Sequence, residues 1–250
     1  MLGMPTLLEF KSIDENIRFA KKNNLDFIEL NYNMPYVKKG ISNHLDESLK
    51  YSIHFYDDID LAIDDEIIRN AYIKSFEKMI LDVKHLNIMS VNVHLNCGPY
   101  TTIDGCKFYN YENDSEFVLR LTSTLKKFRE ICNKYNITLT IENIITPPFI
   151  ISAFYSLIND DFNITFDIGH DAIYDYSFYK FVLENSKDLF EVHFHDAFKD
   201  KCHLELKKGS LDLSKYFRLA KRKNVVLEVK DSQSLEKSIE VYRRLGEKND

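Results

Sequence analysis

Short runs of β-branched and aromatic residues alternate along this chain with longer stretches in which apolar residues recur every three to four positions. The first pattern is that of buried strands and the second that of amphipathic helices. Strands are predicted over residues 2–9, 26–31, 51–55, 89–95, 137–142, 162–167, 189–194 and 224–229. Helices are predicted near 12–24, 44–49, 65–87, 114–136, 149–158, 175–187, 212–223 and 232–246. Regular alternation of this kind implies a parallel sheet with crossover helices, hence an α/β protein. Eight strands with eight helices close most naturally into a (β/α)8 TIM barrel, here a single domain over residues 1–250. The competing open, doubly wound sheet is disfavoured because no Gly-rich phosphate loop follows the first strand.

Local signals agree with this reading. Ser12 with Glu15, Asp64 ahead of Ile67, and Asp114 ahead of "SEFVLRLTSTLKKF" are helix starts. With only 7 glycines and 5 prolines there is little linker material and no sign of a domain boundary. The longest stretch without predicted structure is Asn96–Asn113, which follows the strand ending at His94. It is read either as a lid carrying Tyr100, Phe108, Tyr109 and Tyr111 over a substrate or as a loop whose aromatics pack against the body.

Composition narrows the class of function. At 44% hydrophobic and 29% charged, the chain has the make-up of a soluble protein with a large core. It contains no run long and apolar enough to span a membrane, and its first residues lack the pattern of a secretory leader, so a cytoplasmic location is expected. Cys97, Cys106, Cys132 and Cys202 match no zinc spacing and are expected to be unpaired thiols. The formal charge of -6 argues against wholesale polyanion binding but leaves a local basic patch open. The oligomeric state is not legible.

The candidate chemistry lies at the strand ends. Six apolar runs, "YSIHFYDD", "SVNVHLN", "TLTIEN", "ITFDIGHD", "FEVHFHDA" and "VVLEVKD", close on His54, His94, Glu142, Asp167 with His170, His193 and Glu228. An acid or imidazole in such a run is costly unless something pairs with it, and one shared divalent cation would pair with all of them. All stand at or near the C-terminal ends of their strands, the rim on which barrels build active sites. Strand alternation puts His193 and His195 on one face. Glu29 ends the second strand and is read as a support for the ligands or a substrate contact.

These blocks resemble the xylose isomerase-like barrel superfamily, which holds sugar isomerases and epimerases together with the endonuclease IV group of DNA repair enzymes. The likeness runs through "LDFIELNYN", "SIHFYDDIDLA", "VNVHLN", "IEN", "FDIGH", "VHFHD", "HLELKKGSLDL" and "LEV". It implies Glu142, Asp167, His193 and Glu228 as metal ligands. Three carboxylates and an imidazole suit Mn²⁺, Mg²⁺, Co²⁺ or Zn²⁺. In the repair enzymes the equivalents of His54 and His94 join Glu142 at a second metal. Those of His170 and His203 hold a third with an aspartate two residues before the latter. Here that position is Lys201, and Asp200 is one place off.

The resemblance thus implies isomerisation or epimerisation of a sugar, sugar phosphate or related polyol through an enediolate, with Glu142 and Glu228 as the proton-transferring pair. The alternatives are metal-dependent phosphodiester hydrolysis at abasic DNA, and a barrel that binds without catalysing. Under the sugar reading His170, His54 and His94 are substrate contacts. His195 is a substrate contact or a packed, hydrogen-bonded histidine, and Asp196 orients the following loop. Lys199, Lys201, Lys207 and Lys208 form a possible phosphate site or simply a solvated rim. His44 and His85 read as surface histidines.

Overall fold

In the computed structural model, which describes residues 1–41, 45–144, 147–173 and 178–249, eight parallel strands close into a barrel. They are β1 (Leu2–Pro5), β2 (Phe27–Asn31), β3 (Lys50–His54), β4 (Ile88–His94), β7 (Thr138–Glu142), β8 (Asn163–Asp167), β9 (Leu189–His193) and β12 (Asn224–Val226). Each pairs with the next in that order, and β12 returns to β1 through Leu2 opposite Val225. Two antiparallel hairpins stand on the loops: β5 (Tyr100–Ile103) with β6 (Cys106–Tyr109), and β10 (Asp196–Phe198) with β11 (Lys201–Leu204).

The helices are α1 (Ile13–Lys22), α2 (Pro35–Gly40), α3 (Glu66–Val83), α4 (Phe117–Asn133), α5 (Pro148–Asn159), α6 (Ile168–Ile173), α7 (Tyr179–Glu184), α8 (Leu213–Ala220) and α9 (Ser232–Asn249). Helix α1 starts as expected, with Ser12 accepting the Glu15 N–H and Glu15 Oε2 accepting the Lys11 N–H. Helix α3 is capped one residue later than expected, by Asp65, which accepts the N–H groups of Ile67 and Ile68. Among the described residues no helix is long and apolar enough to cross a membrane.

Other expectations need correction. The helix placed near 44–49 is instead α2, nine residues earlier, where Pro35 supplies the preset φ of a first helical turn. Residues 45–49 are a turn in which Asp46 accepts the Ser48 N–H. His44 lies outside the described residues, as do the first positions of the helix expected at 175–187, and α6 directly after β8 was not anticipated. The stretch 96–113 is not structureless. Its Asp104 (φ 50) and Gly105 (φ 80) are both left-handed, the geometry of a two-residue hairpin turn. Tyr111 in that stretch is structural: it donates to Asp60 at 2.7 Å, stacks on Phe117, and would be struck by any Cβ on Gly98.

The strand residues sort into two layers by parity. Ile53, Val91, Val93, Leu139, Ile141, Ile164, Phe166 and Val192 are buried under the helices, whose own core includes the Phe76–Phe128 stack at 3.8 Å. The opposite parity carries Ser52, Ser90, Asn92, Thr140, Thr165 and Glu191, all fully buried. A barrel interior is usually filled by branched aliphatics. Here it is a polar column, joined by hydrogen bonds from Thr165 to Thr140 (2.8 Å), Thr140 to Asn92 (3.3 Å), and Asn92 to Glu142.

A candidate metal centre at the barrel mouth

Two residues above five members of that column, on the same parity, stands an expected ligand: His54 above Ser52, His94 above Asn92, Glu142 above Thr140, Asp167 above Thr165, His193 above Glu191. Their side chains meet at the C-terminal mouth. Glu142, Asp167, His193 and Glu228 each present one ligand atom, all within 4.8 Å of one another. Atoms about 2.0–2.3 Å from a common ion can be no farther apart than about 4.6 Å, so a slight contraction suffices. His193 Nδ1 lies 3.1 Å from Glu228 Oε2 and 3.3 Å from Glu142 Oε1. Glu228 arrives by a different route from the rest, since β12 ends at Val226 and the carboxylate follows it.

The other side of the His193 ring faces Glu29 at 3.3 Å and Glu191 at 3.6 Å. Four buried or half-buried carboxylates therefore surround one imidazole. Both ring nitrogens of His193, Glu228 Oε2, Glu29 Oε1 and both Glu191 oxygens are buried without a hydrogen-bond partner. Such groups are expensive to bury unless a cation compensates them. The donor set fits a divalent ion, with Glu142, Asp167, His193 and Glu228 as candidate ligands.

Two more clusters adjoin it. Glu142 Oε2 lies 3.4 Å from Nε2 of both His54 and His94, whose rings pack edge to face at 4.6 Å. His170 Nδ1 lies 3.7 Å from Asp167 and 3.8 Å from Glu142, and His203 Nδ1 lies 3.6 Å from Glu228. His54, His94, Glu142, His170, His203 and Glu228 line a cavity of about 400 Å³.

Charge in the mouth is strongly coupled. Burial works against the His193 imidazolium, but Glu142, Glu29 and Glu228 outweigh it and hold its pKa well above the ordinary value. Burial likewise opposes charging of His54, and Asp57 with Glu142 overcomes it. The same balance raises His170 to about 10 and His203 to about 9. Glu142 and Glu228 are held well below the carboxylate range despite burial, Glu142 by His193 and His94, Glu228 by His203 and His193. Burial also resists ionisation of the Cys202 thiol, yet hydrogen bonds from His170 and His203 bring it down to about 6.

The surrounding residues have positioning roles that the motif "FDIGH" encodes. Asp167 Oδ1 accepts the His170 N–H at 2.6 Å and so starts α6. His195 Nδ1 accepts the His203 N–H at 2.9 Å, which leaves its Nε2–H to bridge both oxygens of Asp167 at 3.0 and 3.1 Å. His195 thus aims Asp167 and is shielded from the cavity. A Cβ on Gly169 would sit 2.0 Å from the His195 ring, so only glycine allows that ring its place. Asn143, not singled out from the sequence, clamps Asp167 through both backbone groups at 2.8 Å. Asp196 orients its loop as expected, accepting the N–H groups of Ala197, Lys207 and Leu211. The side chains of Lys199, Lys201, Lys207 and Lys208 are exposed and do not line the cavity. His85 is exposed too.

The sequence matches the family described as xylose isomerase-like TIM barrel over residues 17–245. No curated protein sequence matches it. Among solved structures, a D-tagatose 3-epimerase-like protein superposes with a TM-score of 0.80 at 21% identity, covering 98% of this chain and 97% of that one. The 3-keto-D-glucoside 4-epimerase YcjR from E. coli superposes at 0.72 with 16% identity, covering 97% and 98%. An IOLI protein with a bound zinc atom superposes at 0.74 with 16% identity, covering 98% and 96%.

Proposed function

The chain belongs to the xylose isomerase-like TIM barrel family, and from that premise we propose that it is a divalent-metal-dependent isomerase or epimerase acting on a sugar or related polyol derivative. The observation that carries the reading is the placement of Glu142 and Glu228, from strands on different sides of the mouth, against the same nitrogen of His193. Glu142, Asp167, His193 and Glu228 would hold Mn²⁺, Mg²⁺, Co²⁺ or Zn²⁺. When bound, such an ion supplies Lewis acidity towards a carbonyl and the hydroxyl beside it.

The protein's own residues do the rest. Glu142 and Glu228 are held ionised at neutral pH, the state a general base requires. The one acting as base removes the proton from the carbon next to the carbonyl, the other takes a proton from solvent and delivers it to the opposite face of that carbon, and the first then releases its proton to solvent. His54 and His94 stand at the cavity wall, where they can donate to substrate hydroxyls. The cavity suits a molecule of monosaccharide size. The position of the four lysines outside its lining favours a substrate without phosphate. The names of the similar structures, one a sugar epimerase, one a sugar-epimerase-like protein and one with zinc, support the same reading.

One observation favours a second reading. His54, His94 and Glu142 form a ligand-like group of their own within 4.8 Å, as two-metal phosphodiester hydrolysis at abasic DNA would require. A panel of ketoses incubated with manganese- or cobalt-loaded protein in heavy water separates the two. Deuterium incorporation that disappears in Glu142→Gln and Glu228→Gln supports the epimerase. Nicking of an abasic duplex with no incorporation into any ketose rejects it.

A further inference from the structure

We propose that His170, Cys202 and His203 form a separate, thiolate-containing site for a borderline-soft divalent cation, Zn²⁺ above all. Strict alternation along β11 would put Cys202 on the opposite face from His203. The hairpin breaks that rule. Asp196 pairs with Leu204 while Phe198 pairs with Lys201, so β11 carries an extra residue, and His203 adopts a left-handed φ of 55°. Two neighbouring side chains thereby reach His170 together, and the three present ligand atoms within 4.8 Å of one another.

The histidines are held as ligands are held. Nδ1 of His170 lies 3.3 Å from the Asn143 carbonyl, and Nδ1 of His203 lies 3.3 Å from the Glu228 carbonyl. A proton on each Nδ1, donated to these carbonyls, leaves each Nε2 with a free lone pair, the arrangement by which outer hydrogen bonds orient metal-binding imidazoles. Their backbones are fixed as well, through the His203 N–H to His195 and the His170 N–H to Asp167. The two rings meet edge to face at 5.4 Å. A left-handed non-glycine residue costs of the order of 1–3 kcal/mol, and such strain is typically kept at functional positions.

This is not the aspartate-containing arrangement implied by the sequence resemblance, for which Lys201 stands in the wrong place; Lys201 is exposed, and a thiol takes the third position instead. The change alters metal preference. Two imidazoles and a thiolate suit Zn²⁺ and disfavour Mg²⁺ and Mn²⁺, whereas the neighbouring set of three carboxylates and one imidazole accepts the harder ions. Three protein ligands leave a fourth position for solvent or substrate. The assignment is independent of the reaction proposed above.

The test is cobalt titration of metal-stripped protein, followed by absorption spectroscopy and elemental analysis after gel filtration. The unmodified protein should show thiolate-to-cobalt charge transfer in the near ultraviolet, and Cys202→Ser should lose that band together with one bound equivalent. Alkylation mapped by mass spectrometry needs no variant: Zn²⁺ should shield Cys202 and leave the exposed Cys106 reactive. Absence of the charge-transfer band, or equal alkylation of Cys202 with and without Zn²⁺, overturns the proposal. Loss of one bound equivalent in Glu228→Gln with the band retained would support the proposal, placing that equivalent at the carboxylate centre and the other at Cys202.

Discussion

Replacing Asp196 should unfasten the loop that delivers His203 to the mouth. Its Oδ1 accepts the N–H groups of Ala197 (2.9 Å) and Leu211 (3.1 Å), and its Oδ2 accepts that of Lys207 (2.9 Å). The side chain is 1% exposed, and Gly209 approaches so closely that a Cβ there would lie 2.2 Å from Oδ1. A hydrogen bond to a charged group contributes about 1.5–3 kcal/mol. Three would exceed that severalfold, but removing the carboxylate also removes its own burial cost, and water can enter beside the exposed Lys207. Asp196→Ala is therefore expected to lose about 3–4 kcal/mol. Asp196→Asn can keep the two bonds at one oxygen while setting an NH₂ against the Lys207 N–H, and should lose about half as much. For a chain of this size the alanine variant corresponds to a fall in melting temperature on the order of 10 °C. Melting should be followed by circular dichroism on metal-stripped protein, because a bound ion would add its own linkage. A loss under about 1 kcal/mol for alanine, or equal losses for the two variants, would refute this account.

Three further outcomes follow from the same contacts. Gly169→Ala should push the His195 ring off Asp167 and weaken metal binding about 10- to 100-fold by competitive chelator titration, whereas Gly105→Ala, with nothing within 4 Å, should leave it unchanged. Burial raises the Asp171 carboxyl to about 7, against hydrogen bonds from Phe178 and Tyr179 that favour its charge. The folded state then holds a proton that the unfolded chain releases near pH 4, so stability should fall as pH rises from about 4 to about 7; Asp171→Asn should flatten that slope by up to about 4 kcal/mol, and thermal melts showing parallel slopes for both proteins would contradict it. Protonated His193, His54, His170 and His203 must lose protons to ligate or to admit a cation, so metal affinity should rise with pH, and calorimetry in buffers of different ionisation enthalpy should detect proton release.

The barrel and the convergence of its strand ends were legible because both rest on period. A run such as "TLTIEN" announces a strand by its apolar residues and a site by the acid that ends it. The same parity, followed two residues back from each ligand, would have found Ser52, Asn92, Thr140, Thr165 and Glu191, which read as ordinary strand filler when taken singly. The dipeptide Asp104–Gly105 was a visible hairpin signal inside the supposed loop. Helix α2 was harder, since one turn after Pro35 offers too few residues for a periodicity. The joint approach of Cys202 and His203 was not legible at all. It depends on a bulge and a left-handed residue, and alternation argues the opposite.

The polar column also decides how His193 can act. Its Nδ1 faces Glu142 and Glu228, and its Nε2 faces Glu29 and Glu191. An imidazole that gives Nδ1 to a cation must keep its proton on Nε2, and among the described residues the carboxylates within 4 Å on that side are those of Glu29 and Glu191. Burial pushes the Glu191 carboxyl up to about 7, so the low-dielectric surroundings oppose its charge. A raised Glu191 carboxyl lessens the negative charge beneath the mouth, while Glu29 and Glu191 each keep an oxygen within 4 Å of His193 Nε2. That is a physical reason for acids at a depth where branched aliphatics would have been cheaper to bury. With His193 as a metal ligand, Glu29 and Glu191 would act as positioning residues for its tautomer.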